Sequence, residues 1–217
     1  MKKTVAFVPI KLNNERFPNK NITPFDNGEP LIHYILNTLK EVKNVDEVYV
    51  YCSDESICDY IPEGIKFLKR ETYLDLSTTS FNEVLTTFAD LVDADVYVLT
   101  HATAPFMSAE SIEKGVDAVV SGEYDSALAV QKLQEFVWKD NKPFNYDVKH
   151  IPRTQDLPLM YTETCGLYVY TSDLIKNEKR RVGDKPYLVE VSKIEACDIN
   201  TKDDFIVANA IFNANKK

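Results

Sequence analysis

The sequence predicts an α/β protein: a mainly parallel sheet with helices on both faces and a small insertion lobe. Three observations carry that prediction. The length of 217 residues suits one large domain, or one domain with a small lobe. Short β-branched and aromatic runs alternate with stretches of helical apolar spacing, and a β-α-β-α order of this kind buries a parallel sheet between helices. Near Gln131 the rhythm breaks into a long polar segment, and it resumes only at Gly166.

Each element follows from a local pattern. Residues 5–8 form the first buried strand. Residues 31–39 have helical spacing, with Pro30 at the first turn. Residues 48–52 are a strand that ends at Ser53-Asp54, a helix cap by composition. Residues 65–68 form another strand. A helix over 81–91 carries Phe81, Val84, Leu85, Phe88 and Leu91 on one face. Residues 95–100 are a strand and 108–120 a helix capped by Ser108 with Ser111. Residues 126–130, 166–170, 188–191 and 194–196 are further strands. The last helix spans 203–213, apolar at Phe205, Ile206, Ala208, Ile211 and Phe212. The insertion over residues 131–165 is expected to be a dimerisation or lid element.

Composition excludes several function classes. Lys and Arg number 25 against 34 Asp and Glu, a formal charge of −9, whereas a nucleic-acid binder carries a basic stripe. No apolar run approaches the ~18 residues of a membrane span. The N-terminal apolar run stops at Lys11 with no small-residue cleavage site, so it reads as a strand rather than a leader. A cytoplasmic chain with no membrane or nucleic-acid partner is the expectation. The four cysteines form no C-x-x-C and have no histidine at zinc-ligand spacing, so they read as buried free thiols. The six glycines are too widely spaced for G-x-G-x-x-G or a P-loop, which excludes phosphate cradles built from glycine amides.

Ligands of open α/β sheets bind beyond the carboxyl ends of the strands. The loops to inspect are therefore 9–24, 70–80, 100–108, 150–165 and 197–203. The first follows strand one and carries Lys11, Arg16 and Lys20 with four asparagines and one acid. In an acidic chain, that local positive excess suits a polyphosphate gripped by side chains. At 198–204, Thr201-x-x-Asp204 is a capping box for the last helix.

Pro9, Lys11, Arg16, Pro18, Lys20 and Asn21 together resemble the first signature of the sugar-acid cytidylyltransferases, which runs I-P-A-R, a polar stretch, then P-x-K-N. Lys11 stands where that family has Arg. Four further segments resemble the family in the same order. Arg70 with Thr78, Thr79 and Ser80 is similar to its R-x-x-x-L-x-x-D-T-x-S, with Ser77 in place of the Asp. Thr100 to Phe106 is similar to L-Q-P-T-S-P-L, with His101 at the sugar-contacting Gln. Arg153, Gln155, Leu157, Pro158, Gly166 and Tyr168 are similar to R-Q-x-L-P followed by N-G-x-x-Y, with Cys165 in place of the Asn. Last, residues 198–204 are similar to D-I-D-T-x-x-D, with Asn200 in place of the second Asp.

The resemblance covers nearly the whole chain. It implies a Rossmann-like nucleotidyltransferase sheet and transfer of CMP from CTP to a sialic-acid-like 2-keto-3-deoxy sugar, with pyrophosphate released, for surface polysaccharide or glycan synthesis. It also implies the residue roles. Lys11, Lys20 and Arg16 would be catalytic. Pro9, Ile10, Asn21, Arg70, Thr78, Thr79 and Ser80 would bind nucleotide. His101, Thr103, Arg153, Gln155, Tyr161 and Tyr168 would bind the sugar, Arg153 through its carboxylate. Asp198 and Asn200 would hold Mg²⁺, the implied cofactor, although an asparagine brings no charge. Family members are homodimers whose insertion reaches the partner's site. The departures at Lys11, His101, Cys165 and Asn200 leave open a different acceptor or nucleotide, or a non-catalytic nucleotide-binding relative.

Overall fold

The computed structural model describes residues 2–215. Its strands are β1 (Thr4–Ile10), β2 (Glu47–Cys52), β3 (Lys66–Lys69), β4 (Val96–Thr100), β5 (Ser126–Leu133), β6 (Trp138–Lys139), β7 (Lys142–Pro143), β8 (Met160–Thr171) and β9 (Pro186–Glu190). Its helices are α1 (Leu31–Glu41), α2 (Phe81–Leu91), α3 (Ala109–Val120), α4 (Ser172–Glu178) and α5 (Lys202–Asn215). The main sheet has the order β3-β2-β1-β4-β8-β5-β9. Its neighbours are parallel except around β8, which runs antiparallel to both β4 and β5.

β1 shows how the sequence builds two layers. Successive side chains of a strand point to opposite faces. Ala6, Val8 and Ile10 join α1 and α3 in one core, with Ile32, Ile35, Leu36, Ile112, Val116 and Val119. Val5 and Phe7 join α2 and α4 in the other, where Phe7 stacks on Phe88 at 3.9 Å between ring centroids. A smaller aromatic cluster of Phe25, Phe106, Phe205 and Phe212, with Leu31 and Ile199, docks α5 against the loop that follows β1.

The strand order places the site. The chain steps from β1 outward to β2 and β3, then returns to β4 on the other flank of β1. The loops after β1 and β4 therefore diverge at a switch in strand order, the crevice where open α/β sheets bind ligands.

Several expectations are corrected. Residues 194–196 form a turn, with the Ala196 amide donating to the Ser192 carbonyl at 2.9 Å. The Glu195 carboxylate causes it, since Ser108 Oγ at 2.6 Å, Ser111 Oγ at 2.7 Å and the Ser192 amide at 3.1 Å all donate to it. These tie the turn to the start of α3. Helix α4, absent from the sequence reading, is capped by Thr171 Oγ1, which accepts from the Leu174 amide at 3.3 Å. On α5, Ile206 is 66% exposed, whereas Phe205, Ala208 and Phe212 pack inward. Cys52 is buried as expected, but Cys58 and Cys165 lie at the surface.

The insertion is an arm carrying the β6–β7 hairpin, and it exposes Phe136, Trp138, Phe144 and Ile151. Where β8 leaves the arm, the two steps from Leu128 to Val130 on β5 face five from Tyr168 to Glu163 on β8. Cys165 sits in this bulge with φ 56°, a left-handed conformation. Gly166 beside it lets the loop after β4 pack close: a Cβ there would lie 2.5 Å from Met107 Cε and would displace that side chain.

Candidate functional site

The loop after β1 is braced by its own asparagines. Asn14 Nδ2 and Asn21 Nδ2 both donate to the Lys11 carbonyl, at 2.8 and 3.2 Å. Asn19 turns the chain at φ 57°, a conformation asparagine tolerates well. These amides therefore shape the loop, and the cations are what it presents. Lys11, Arg16 and Lys20, with Phe17, Ser77 and Asn200, line a cleft of about 260 Å³.

Lys20 is 7% exposed, and its Nζ donates to the Ile199 carbonyl at 2.5 Å. Burial pushes its ammonium below the usual lysine range; Asp198 opposes the shift and Arg16 adds to it. The segment after residue 197 is held in place by the Ile199 amide on the Thr103 carbonyl at 2.9 Å. Thr201 and Asp204 cap α5 reciprocally, with the Thr201 amide 2.8 Å from Asp204 Oδ2 and the Asp204 amide 3.3 Å from Thr201 Oγ1.

Asn200 lies between two charges. Arg16 Nη2 donates to its Oδ1 at 2.9 Å, and its Nδ2 donates to Asp198 Oδ2 at 2.7 Å. Those neighbours set the amide's orientation, because a flip would place oxygen against carboxylate and NH₂ against guanidinium. Its carbonyl oxygen is therefore directed at Arg16.

A second cleft, about 300 Å³, adjoins the first through Lys11 and Ser77. Pro9, Arg70, Asp75, Thr79 and Phe81 help to line it. Arg70 is 4% exposed and lies over the Tyr51 ring at 5.7 Å. One Nη2 donates to the Ile10 carbonyl at 2.8 Å and also pairs with Asp75 Oδ1. Ser53 Oγ donates to the other Asp75 oxygen at 2.5 Å, and Lys11 Nζ to the Asp75 carbonyl at 3.3 Å. Arg70 Nε has no partner and is fully buried. Ile10 itself is a core side chain and offers the site only its carbonyl.

The rest of the predicted set is distributed as follows. Ser80 caps α2, accepting from the Glu83 amide at 3.2 Å. Thr79 Oγ1 donates to the Tyr73 carbonyl at 2.7 Å, and Thr78 is exposed outside the cleft lining. His101 is half-buried after β4, its ring 5.6 Å from that of Phe81. Burial, then the Arg181 guanidinium, pushes its pKa down to about 4, so the imidazole is neutral at pH 7. Tyr168 is buried beneath Arg181, whose guanidinium carbon is 3.8 Å from the ring centroid. Its phenol donates to Glu163 Oε2 at 2.7 Å. Arg153, Gln155 and Tyr161 lie in the arm and at its root. The Arg153 fork grips Asp156 at 2.7 and 3.0 Å, the Gln155 carbonyl accepts from Gln134 at 3.3 Å, and the Tyr161 hydroxyl is 3.5 Å from Glu190.

Sequence reading missed Asp75 and Phe81 in the cleft lining, and Arg181 against Phe81 and Tyr168. Asp75 had one legible signal, an acid near Arg70 before a capped helix. Arg181 had none, because only the fold returns the loop after α4 to Tyr168 and Phe81.

Comparison with known proteins places this geometry. A family model described as "Cytidylyltransferase" matches residues 5–187. N-acylneuraminate cytidylyltransferase of Streptococcus agalactiae is 22% identical, over 94% of this chain and 52% of its own length. The chain thus spans about half the length of these streptococcal relatives. 2-C-methyl-D-erythritol 4-phosphate cytidylyltransferase of Clostridium perfringens is 25% identical over 76% of this chain and 74% of its own. Among solved structures, a CMP:2-keto-3-deoxy-manno-octonic acid synthetase complexed with CTP shares the fold, with a TM-score of 0.74 at 14% identity over 98% of this chain and 99% of that one. With the match running from the first strand to the start of β9, this chain belongs to the cytidylyltransferase family.

Proposed function

We propose that the chain transfers CMP from CTP to a small anionic acceptor of the sugar-acid type. The observation that carries this reading is the pair of adjoining clefts at the strand-order switch. One is lined by Lys11, Arg16 and Lys20, the other by Arg70 and Phe81. The first suits a triphosphate and the second a nucleoside.

In the reaction, the acceptor hydroxyl oxygen attacks the α-phosphorus. The bond from that phosphorus to the oxygen bridging to the β-phosphate breaks, pyrophosphate leaves, and the hydroxyl proton is lost. The protein's share is positioning and charge neutralisation. Lys20, anchored on the Ile199 carbonyl, presents a fixed cation to phosphate. Arg16 is held over the same cleft by Asn200. His101, neutral at pH 7, can exchange one hydrogen bond with the acceptor without adding charge.

The donor set fits magnesium through one carboxylate. Asp198 keeps an oxygen not engaged by Asn200, and Mg²⁺ commonly takes one or two carboxylates, water and substrate phosphate. Asn200 does not fit as a second ligand, because its oxygen faces Arg16. Among the described residues, no group of three or more His, Cys, Asp or Glu could hold a metal. When bound, magnesium would neutralise phosphate charge at Asp198.

We also infer a homodimer seated through the arm, supported by the exposed Phe136, Trp138, Phe144 and Ile151. Such packing would bring Arg153, Gln155 and Tyr161 to a partner's acceptor side. No helix among the described residues is long and apolar enough to cross a membrane. Use of CTP favours the cytoplasm, where nucleoside triphosphates are made, and an activated sugar acid is a donor for polysaccharide synthesis.

The test is pyrophosphate release from CTP with a panel of sugar acids. Turnover with one or more of them is the expected result. Absence of both CTP binding and pyrophosphate release overturns the reading.

A further inference from the structure

The chain has five arginines. Three are matched to acids: Arg70 to Asp75, Arg153 to Asp156, and Arg180 to both Glu178 and Asp184. Arg16 is held by a neutral amide over the phosphate cleft. Arg181 differs from all of these. Among the described residues, no carboxylate lies within ion-pair distance of it and no hydrogen-bond partner engages it. Its neighbour Arg180 takes both local acids on the surface, while Arg181 turns inward.

Its surroundings are built. The guanidinium lies 3.8 Å over Tyr168 and 5.3 Å over Phe81. The phenol of Tyr168 is fixed by Glu163, so the ring beneath the cation is held in one place. Phe81 also lines the nucleoside cleft and lies 5.6 Å from His101. Arg181, Asp198 and Lys20 all lie close enough to His101 to act on its charge. Phe81 therefore links Arg181 to both His101 and the second cleft, which puts the guanidinium beside the groups an acceptor would meet. A planar fork stacked on aromatic faces keeps its edge N–H groups free for a flat or tetrahedral oxyanion.

We propose that Arg181 anchors the acceptor, its guanidinium gripping the anionic group of the molecule that receives the nucleotide. This deepens the cytidylyltransferase reading above and rests on it. It also moves the anion contact within this chain from Arg153, which already grips Asp156, to a residue that no motif marked. A carboxylate and a phosphate present the same chemistry to the fork, and the acceptor panel separates them.

The experiment compares wild type with Arg181→Met and Arg181→Lys. CTP affinity is measured by calorimetry. Pyrophosphate release is measured with N-acetylneuraminate, its methyl ester, 2-C-methylerythritol 4-phosphate and neutral polyols. Arg181→Met keeps an unbranched stem on the two rings, so folding is retained and checked by thermal melting. The expected result is a CTP Kd unchanged within about twofold and a kcat/KM for the anionic acceptor lowered about 100-fold, chiefly through KM. Arg181→Lys recovers part of that loss, because it keeps the charge and loses the fork. If the carboxylate is the anchor point, the methyl ester is poor with wild type, and Arg181→Met lowers it little further. Equal turnover of Arg181→Met and wild type overturns the anchor and leaves the cytidylyltransferase reading standing. A parallel loss of CTP binding, or turnover by wild type of neutral acceptors alone or of no anionic acceptor, also overturns it. A wild-type chain that neither binds CTP nor releases pyrophosphate overturns both.

Discussion

Two arginines lie over tyrosine rings, one lining the second cleft and one against Phe81 beside it, and they are built oppositely. Arg70 lies over Tyr51 at 5.7 Å, is 4% exposed, and is locked to Asp75 and the Ile10 carbonyl. Arg181 lies over Tyr168 at 3.8 Å, is half-buried, and has an aromatic floor without an acid. A buried guanidinium needs a counter-charge to offset desolvation, and an Asp75 that is 12% exposed supplies it. A half-buried one can be held by π-faces alone and left free to recruit an anion. On the function proposed above, the first is a wall built to shape the nucleoside cleft, and the second a wall left to receive an anion.

The largest effect is expected at the cationic loop after β1. Lys20→Ala should lower kcat/KM for CTP at least ~1000-fold, about 4 kcal/mol of transition-state stabilisation, with melting close to wild type. Unchanged pyrophosphate release would remove the loop from the chemistry. The next separates the walls directly. Arg70→Met leaves Asp75 without its cation and should cost about 3 kcal/mol in urea denaturation. Arg181→Met should cost less than ~1 kcal/mol, the scale of a partly exposed cation–π contact. Similar losses at both positions would erase the contrast.

A smaller effect is read through pH. The folded pKa of His101, about 4, lies below its unfolded value of 6.5. Between those values the unfolded chain binds more protons, so stability rises with pH and is lost as pH falls from 6.5 toward 4. At pH 5 the loss should be on the order of 1 kcal/mol, with the part-exposed ring discounted for screening. His101→Gln should flatten that part of the profile. If Arg181 is the second cause of the shift, Arg181→Met should move the slope to higher pH. The smallest effect is at the bulge. Cys165 holds φ 56°, which costs a non-glycine residue ~1 kcal/mol, and asparagine tolerates it better. Cys165→Asn should raise stability by ~0.5 kcal/mol in the same urea assay.

Much of the fold was legible because its signals are local. The boundaries of α2 over Phe81–Leu91, the caps at Ser80 and Ser108, and the Thr201–Asp204 box all depend on residues three or four apart. Helix α4 was not legible, since seven residues show too little periodicity to stand out. The turn at residues 194–196 looked like a strand because its apolar pattern is strand-like. A carboxylate reaching Ser108 and Ser111, more than eighty positions away, decides otherwise.

The site divides in the same way. Lys11, Arg16 and Lys20 lie in one short loop of the sequence, and their charge stands out in a chain of net −9. The loop's asparagines also stood out, and only the fold shows that Asn14 and Asn21 both donate to the Lys11 carbonyl and brace the loop. Asn200 was read as a metal ligand, and the orientation of its amide was invisible until Arg16, 184 positions away, was placed beside it.

By itself, the sequence determined the layered α/β order, the cationic loop after the first strand and the absence of a glycine phosphate cradle. These are properties of composition and short spacing, which the chain carries whatever its distant parts do. Only the tertiary structure decided which arginine is matched to an acid and which is left free. That choice rests on placement in space: Asp75 folds back onto Arg70, and Arg181 is delivered onto Tyr168 and Phe81 with no carboxylate among the described residues within ion-pair distance. Electrostatics acts over a few ångströms in space, and spacing along the chain does not report it.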